Sequence, residues 1–265
     1  MGIGLAAADH CVRHGAKVVV SSEQTERQAL KEVRKVPNAE LCNLEIKRLQ
    51  RLLRSGKAIY IKADKGKDKE IERLVRASWK SVGTVSVLIN NVGIYNEPQF
   101  FDITREDFDR VLGINTWSHL KACQEFAQRR IGENQGGRIL CTTSINAERS
   151  EPDHTLYDMS KAALNGLIRQ MAIELAPQGF TTMGIAAGLH ATKITDFGLV
   201  SDSAARQAIN EQIPLGIGTA DDVGAWIAFA ASDSASYSTG TIVNVDGGLT
   251  PQQIPVRPIS QNENR

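Results

Sequence analysis

Tyr157 and Lys161 stand four residues apart in HTLYDMSKAALNGL, a stretch whose apolar spacing predicts a helix. On a helix that separation puts both side chains on one face and brings the ammonium near the phenol. A free phenol titrates near ~10, and a neighbouring cation favours phenolate and draws that value down. A lowering of about three units asks for roughly 4 kcal/mol of differential stabilisation, which a partly desolvated pair helped by a further cationic ring can supply. A phenol so tuned passes a proton to or from a carbonyl or alcohol oxygen near neutral pH. Ser144 precedes Tyr157 by 13 residues, at the carboxyl end of a predicted strand, where its hydroxyl could steady the same oxygen. Alone, a Tyr-x-x-x-Lys pair describes a surface helix pair better than a catalytic one, so the combination carries the chemistry.

These residues need a frame that gathers strand ends. β-branched apolar runs at 17–21, 58–63, 85–89, 138–142, 181–186 and 241–245 alternate with helical patterns at 26–36, 39–54, 69–82, 104–130, 153–175, 203–212 and 220–231. Alternation of this kind predicts βα units and a mostly parallel sheet in one α/β domain spanning 1–250, followed by a polar tail over 251–265. In the helix at 39–54, Cys42, Ile46, Leu49 and Leu53 form the expected buried stripe. Six strands are found where the helices imply seven, and the missing one would precede residue 1.

With 265 residues, 42% of them hydrophobic, the chain is long enough for one sizeable core. Its formal charge of +1 advertises neither a nucleic acid nor a membrane partner. Between Lys47 and Lys80 twelve Lys/Arg face four Asp/Glu, a run expected on solvated helix faces. The four cysteines are widely spaced with no CxxC, which predicts reduced thiols and no metal site. No apolar run approaches the ~20 residues needed to span a bilayer. A soluble, cytoplasmic protein is the expectation.

Gly2-Ile3-Gly4 before a helix, Asp64, Asn90-Asn91-Val92-Gly93, Asn115, Ser144 with Tyr157 and Lys161, Gly188, Thr192 and Asp246-Gly247-Gly248 follow one another in an order that resembles the classical short-chain dehydrogenase/reductase family over nearly the whole chain. The resemblance implies a Rossmann-type doubly wound parallel sheet with helices on both faces, and hydride transfer between a nicotinamide and a small or medium ketone, polyol or sugar. Tyr157 would be the general acid or base, Lys161 would tune it, Ser144 would orient the substrate oxygen, and Asn115 would anchor a water leading from the lysine. From its residue type alone, Asn115 is equally a satisfied core amide.

The same resemblance implies NAD or NADP held by Gly2, Ile3, Gly4, Ser22, Asp64, Asn91, Gly93, Tyr157, Lys161, Gly188, His190 and Thr192. Glu23, next to Ser22, would repel the 2′-phosphate of NADP and favours NAD. Ile94, Tyr95, Ile145, Asn146 and His154 are the expected substrate contacts, with Leu156, His190 and Phe197 nearby and 193–212 as a lid. Lys65 stands where the family commonly has an apolar residue, and Ala187-Gly188 stands for its Pro-Gly. By resemblance two or four copies associate. Two alternatives stay open: a 3-oxoacyl thioester reductase, and a catalytically impaired binding or oligomer-forming protein with a shortened glycine loop.

Overall fold

The computed structural model describes residues 2–33, 39–95, 98–192, 195 and 203–252. Helix α1 (Ile3–Arg13) opens the chain and ends at Gly15, whose positive φ turns it into β1 (Val18–Ser22). Then follow α2 (Glu26–Val33), α3 (Ala39–Arg54), β2 (Ala58–Lys62), α4 (Asp68–Val82) and β3 (Val87–Asn90). Helix α5 (Arg105–Leu112) is capped reciprocally by Thr104 and Asp107, as the sequence pattern predicts. It passes through a π turn at Gly113–Trp117 into α6 (Ser118–Gly132), so the single helix expected over 104–130 is two helices with a wide turn between them. The rest is β4 (Gly137–Ser144), α7 (Thr155–Glu174), β5 (Phe180–Ala187), β6 (His190–Ala191), α8 (Ser203–Asn210), β7 (Gly218–Thr219), α9 (Ala220–Ala231) and β8 (Thr241–Val245).

The ladders are all parallel: β1 with β2, β3-β4-β5-β8 in that order, and the short pair β6-β7. Helices cover both faces. On one side Val75, Trp79, Phe126, Leu164 and Ile168 pack against Ile139 and Cys141; on the other, Ala7, Val223 and Ile227 pack against Leu140 and Ile185. Trp79 is in the core, with its indole N–H donating to Glu133. All four cysteines are free thiols. Among the described residues, no helix is long and apolar enough to cross a membrane, and no group of three or more His, Cys, Asp or Glu could hold a metal ion.

Between β1 and β3 no strand pairing occurs among the described residues, so each keeps one free edge inside the molecule. Helix α1 spans this discontinuity: Leu5 and Ala8 pack with Val18 and Val20, while Ile3 and Ala7 pack with Val87 and Ile89. Residues of β1 are correspondingly only half-buried, and Ser21 Oγ is buried without a hydrogen-bond partner. Amides on those free edges should exchange with solvent well ahead of those in β4 and β5, which are paired on both sides. Hydrogen-exchange mass spectrometry checks this, and equal protection of β1, β3 and β5 would contradict it.

The stripe expected on α3 is rotated. Glu45, Arg48, Leu49 and Leu52 are its buried residues, whereas Cys42 and Ile46 are only half-buried. The charged pair tolerates burial because its charges are paired: Arg48 donates to Glu45 Oε1 at 2.8 Å and to Asp221, and its Nε, without a hydrogen-bond partner, lies 3.9 Å from buried Asp9. An ion network between α1, α3 and α9 thus replaces part of the apolar seam that periodicity predicts. Residues 253–265 of the expected tail lie outside the described residues, as do most of 193–202 in the expected lid, Phe197 included.

Candidate active site

Strand β4 delivers Ser144 at its carboxyl end, and a 3₁₀ turn at Ile145–Ala147 follows at once. Ser144 Oγ accepts from the Asn146 amide at 3.2 Å, which starts that turn, and it shares a hydrogen bond with the Tyr157 side chain. Helix α7 begins at Thr155 and presents Tyr157 and Lys161 on successive turns of one face. Lys161 Nζ lies 5.5 Å from the centre of the Tyr157 ring and donates to the Thr142 carbonyl at 3.1 Å. The spacing of the pair in the sequence therefore becomes proximity, and β4 places serine and lysine partner on one strand.

The electrostatics differ from the simple expectation. Burial pushes the Tyr157 phenol above its ordinary value, the Ser144 hydrogen bond acts the other way, and Asp158 and Glu151 add to the rise. Lys161, itself buried, is lowered to about 8. In the protein by itself burial is thus the largest influence on the phenol, with Nζ lying over its ring and both groups out of solvent.

Asn115 sits in the π turn with no solvent exposure. Its Oδ1 accepts from the Ile94 amide at 2.8 Å, and its Nδ2 donates to the Ile94 carbonyl at 2.9 Å and to Ser160 Oγ at 3.0 Å. The side chain is thus a satisfied core amide that pins the loop after β3 to α7. A π turn inside a helix is frequent at functional sites, and here it supplies the local shift that brings this amide to Ile94.

The loop residues expected to touch cofactor converge around these groups. A Cβ added at Gly93 would lie 3.4 Å from Lys161 Nζ and 3.6 Å from Asn115 Oδ1, so the bare α-carbon keeps room above the lysine. At Gly4 a Cβ would come 2.7 Å from Asn91 Nδ2, closer than any real side chain allows; Asn91 Oδ1 in turn accepts from Thr142 Oγ1. Gly2 lies against Thr192, and Gly188 against Asp246. Ile3 packs partly into the core beside Val87 and Ile89.

Where the resemblance expects the adenine end lies a cleft of about 500 Å³ lined by Glu23, Gln24, Gln28, Lys62, Asp64, Lys67 and Glu70. Asp64 accepts from the Gly66 amide at 3.0 Å and pairs with Lys67 at 3.1 Å; those contacts hold its carboxyl below the usual range despite some loss of solvent. Ser22 Oγ accepts from the Gln24 amide, shaping the turn at the mouth of this cleft. Lys65 has its ammonium lowered to about 8 by burial. A dinucleotide would find room in this crevice at its two ends, in the cleft and where Gly93 lacks a Cβ beside Lys161. Its middle is tighter: the Gly2 amide at the start of α1, a natural anion donor, already donates to Glu45 Oε2 at 2.7 Å. Burial raises the Glu45 carboxyl, against the opposing pull of Gly2 and Arg48.

His190 is buried, with Nδ1 at 3.0 Å from the Gly188 carbonyl and its ring against Gly218, the partner of His190 across the β6-β7 pair. Desolvation lowers its pKa. On the substrate side Tyr95 stacks on His154 at 4.3 Å, and both rings meet Tyr157 edge-on, at 5.9 and 6.0 Å. Ile145 and Leu156 are buried. Asn146 is drawn into the protein's own bonding through Ser144 and Asp158. Asp158, Glu45 and the Thr142 carbonyl are site neighbours that motif reading misses. Asp158 is simply the next residue after a recognised tyrosine, and Glu45 looks like any helix-surface acid.

The whole arrangement has relatives. A family model described as Enoyl-(Acyl carrier protein) reductase matches residues 1–250. An L-rhamnose 1-dehydrogenase (NAD(P)(+)) of Azotobacter vinelandii is 34% identical over 252 residues, 94% of this chain and 92% of its own. A 3-oxoacyl-[acyl-carrier-protein] reductase of Rickettsia conorii is 32% identical over 251 residues, 94% of this chain and 92% of its own. Among solved structures, a 7α-hydroxysteroid dehydrogenase complexed with NADH and 7-oxo glycochenodeoxycholic acid superposes with a TM-score of 0.78 at 29% identity, covering 94% of this chain and 90% of that one.

Proposed function

The chain belongs to the short-chain dehydrogenase/reductase family and is an NAD(P)-dependent oxidoreductase, and from that premise we propose that Tyr157 exchanges a proton with the oxygen of a sugar, polyol or ketone substrate. The observation that carries this reading is the convergence of Ser144, Tyr157 and Lys161 at the end of β4, beneath the space left by Gly93. When bound, the nicotinamide gives or takes the hydride at the substrate carbon. The chain's own residues manage the oxygen. In reduction the Tyr157 O–H donates its proton to the oxygen as charge develops there, and the Ser144 hydroxyl supplies a second hydrogen bond to it. Lys161 keeps a positive charge under the phenol, and Asn115 holds Ile94 and the following loop against α7. The stacked Tyr95–His154 pair forms an aromatic wall beside Tyr157, suited to the C–H face of a sugar ring or a small alicyclic ketone.

The adenosine would lie in the cleft beside Asp64, with Ser22 at its rim, while Gly2, Ile3, Gly4, Asn91, Gly188, His190 and Thr192 line the path to the nicotinamide. We assign NAD rather than NADP. Glu23 stands at the cleft beside Ser22 and would repel a 2′-phosphate, while Lys67 is engaged with Asp64 and Glu70 with Arg73, which leaves Lys62 as the cation opposing Glu23 there. Paired kinetics with a panel of aldoses, polyols, cyclic ketones and a 3-oxoacyl thioester test both parts. Turnover of a sugar or ketone with NAD(H) at least equal to that with NADP(H) is expected. A large preference for NADP(H), or activity confined to the thioester, would overturn the assignment.

Association of two or four copies through α6 and α7 accords with the exposed Ile131, Met159 and Ile173 on those helices. The free thiols suit a reducing compartment, and we place the protein in the cytoplasm on that ground.

A further inference from the structure

We propose that Asn146 and Asp158 are positioning residues that dictate where the Ser144 hydroxyl points, and through it how Tyr157 holds its proton. This rests on the reading of Ser144 and Tyr157 as the pair that handles the substrate oxygen.

The geometry is a continuous chain of side chains. Ser144 Oγ donates to Asn146 Oδ1 at 3.2 Å, and Asn146 Nδ2 donates to Asp158 Oδ1 at 3.0 Å. At its other end Ser144 shares a hydrogen bond with the Tyr157 side chain. An amide can be turned either way, and the carboxylate decides which way here. An ionised Asp158 is acceptor-only, so it selects the orientation that presents Nδ2 to it and turns Oδ1 towards Ser144. The serine has one proton and two acceptors near it, Asn146 Oδ1 at 3.2 Å and the more distant Ala187 carbonyl at 3.5 Å. The Ser144 bond acts to lower the phenol, the sense of a serine proton offered to the phenolate, so Asn146 Oδ1 competes with the phenol oxygen for that one proton. The competition limits that lowering and favours the neutral, donating phenol until a substrate oxygen enters and recruits both hydroxyls.

The arrangement is local to one turn of chain. Asn146 follows the serine by two residues, and Asp158 follows the tyrosine by one, so the 3₁₀ turn after β4 and the first turn of α7 are tied across the mouth of the site. The Asn146 side chain is consequently occupied by protein partners, which assigns it to orienting Ser144 rather than to gripping substrate.

Two substitutions separate this role from bulk electrostatics and from simple structural support. The charged or titratable groups around the phenol are Lys161 and Asp158 on α7, Glu151 and His154 in the preceding segment, and Tyr95 from the loop after β3. Asn146→Ala leaves all of those charges in place but removes the acceptor for the serine proton. That proton then becomes available to stabilise the phenolate, so the Tyr157 titration, read as the ultraviolet difference against Tyr157→Phe, should move to lower pH. Turnover should fall about tenfold, with the KM for dinucleotide unchanged. Asp158→Asn lets the amide turn over and should move the titration in the same direction, whereas Glu151→Gln removes a charge without touching the chain of hydrogen bonds. If Asn146→Ala leaves both the titration and turnover as in the wild type, the proposal is wrong. It is equally wrong if only the two charge-removing variants shift the phenol. Should Tyr157→Phe itself keep full turnover, the underlying reading of the site fails instead, and the two failures are told apart by that one variant.

Discussion

Tyr157→Phe should lower turnover by about 10³-fold or more while the protein still binds dinucleotide. The magnitude follows from losing the proton donor for the substrate oxygen, since a positioned general acid contributes typically ~10²–10⁴-fold. The ring itself is retained, so its edge contacts with Tyr95 and His154 persist and the aromatic wall is undisturbed. Only the O–H and its bond to Ser144 are removed. Because the residue as a whole is half-buried and its ring stays in place, the thermal midpoint should move by no more than a few degrees. Measured kcat with intact fluorescence quenching of bound NADH checks both halves. Activity within tenfold of the wild type would remove Tyr157 from the chemistry altogether.

Lys161→Met is expected to be nearly as damaging to rate and yet harmless to stability. The ammonium is buried and donates to the Thr142 carbonyl, so the folded protein carries a desolvated charge that a methionine of similar length does not. Replacement should lower turnover by about 10²-fold through loss of positive charge under the phenol, while the thermal midpoint stays level or rises. The pH dependence supplies a sharper test. Burial disfavours the charged form, which lowers the lysine to about 8, so the charge is present below that pH and lost above it. Reductive turnover should accordingly decline as pH rises through about 8. The decline should vanish in Lys161→Met, and it should move to higher pH in Lys161→Arg, whose guanidinium keeps its proton. A wild-type profile flat from pH 7 to 9 would show that the lysine charge does not govern the rate.

Much of this site is legible in the chain because its parts are local. A four-residue spacing on a helix makes neighbours of Tyr157 and Lys161 whatever surrounds them, and the capping pair Thr104 and Asp107 marks the start of α5 by the same logic. Strand runs such as 241–245 announce themselves by β-branched content and coincide with the observed element. Other features have no local signature. The two-residue pair that seats His190 on Gly218 joins segments 28 positions apart, too short for any periodicity to register. The break at Gly113–Trp117 interrupts a pattern that reads as one helix, because a π turn changes the hydrogen-bond ladder without changing residue types. On α3, periodicity chose the apolar residues for the core, yet Glu45 and Arg48 are buried, since their partners Asp9, Asp221 and Gly2 arrive from other parts of the chain.

What the sequence alone determined is therefore the family order of the motifs, the α/β alternation and the identity of the groups that can move a proton. Each of these depends on residue type and short-range spacing. Only the tertiary structure decided that the phenol is raised rather than lowered, that Asn146 is committed to Ser144 and Asp158, and that Glu45 reaches the amide at the start of α1. It also decided that, among the described residues, no strand pairs between β1 and β3 and α1 packs against both. Desolvation, competition for a hydrogen-bond partner and strand pairing are sums over groups far apart in the chain. Their values exist only once those groups have been brought together.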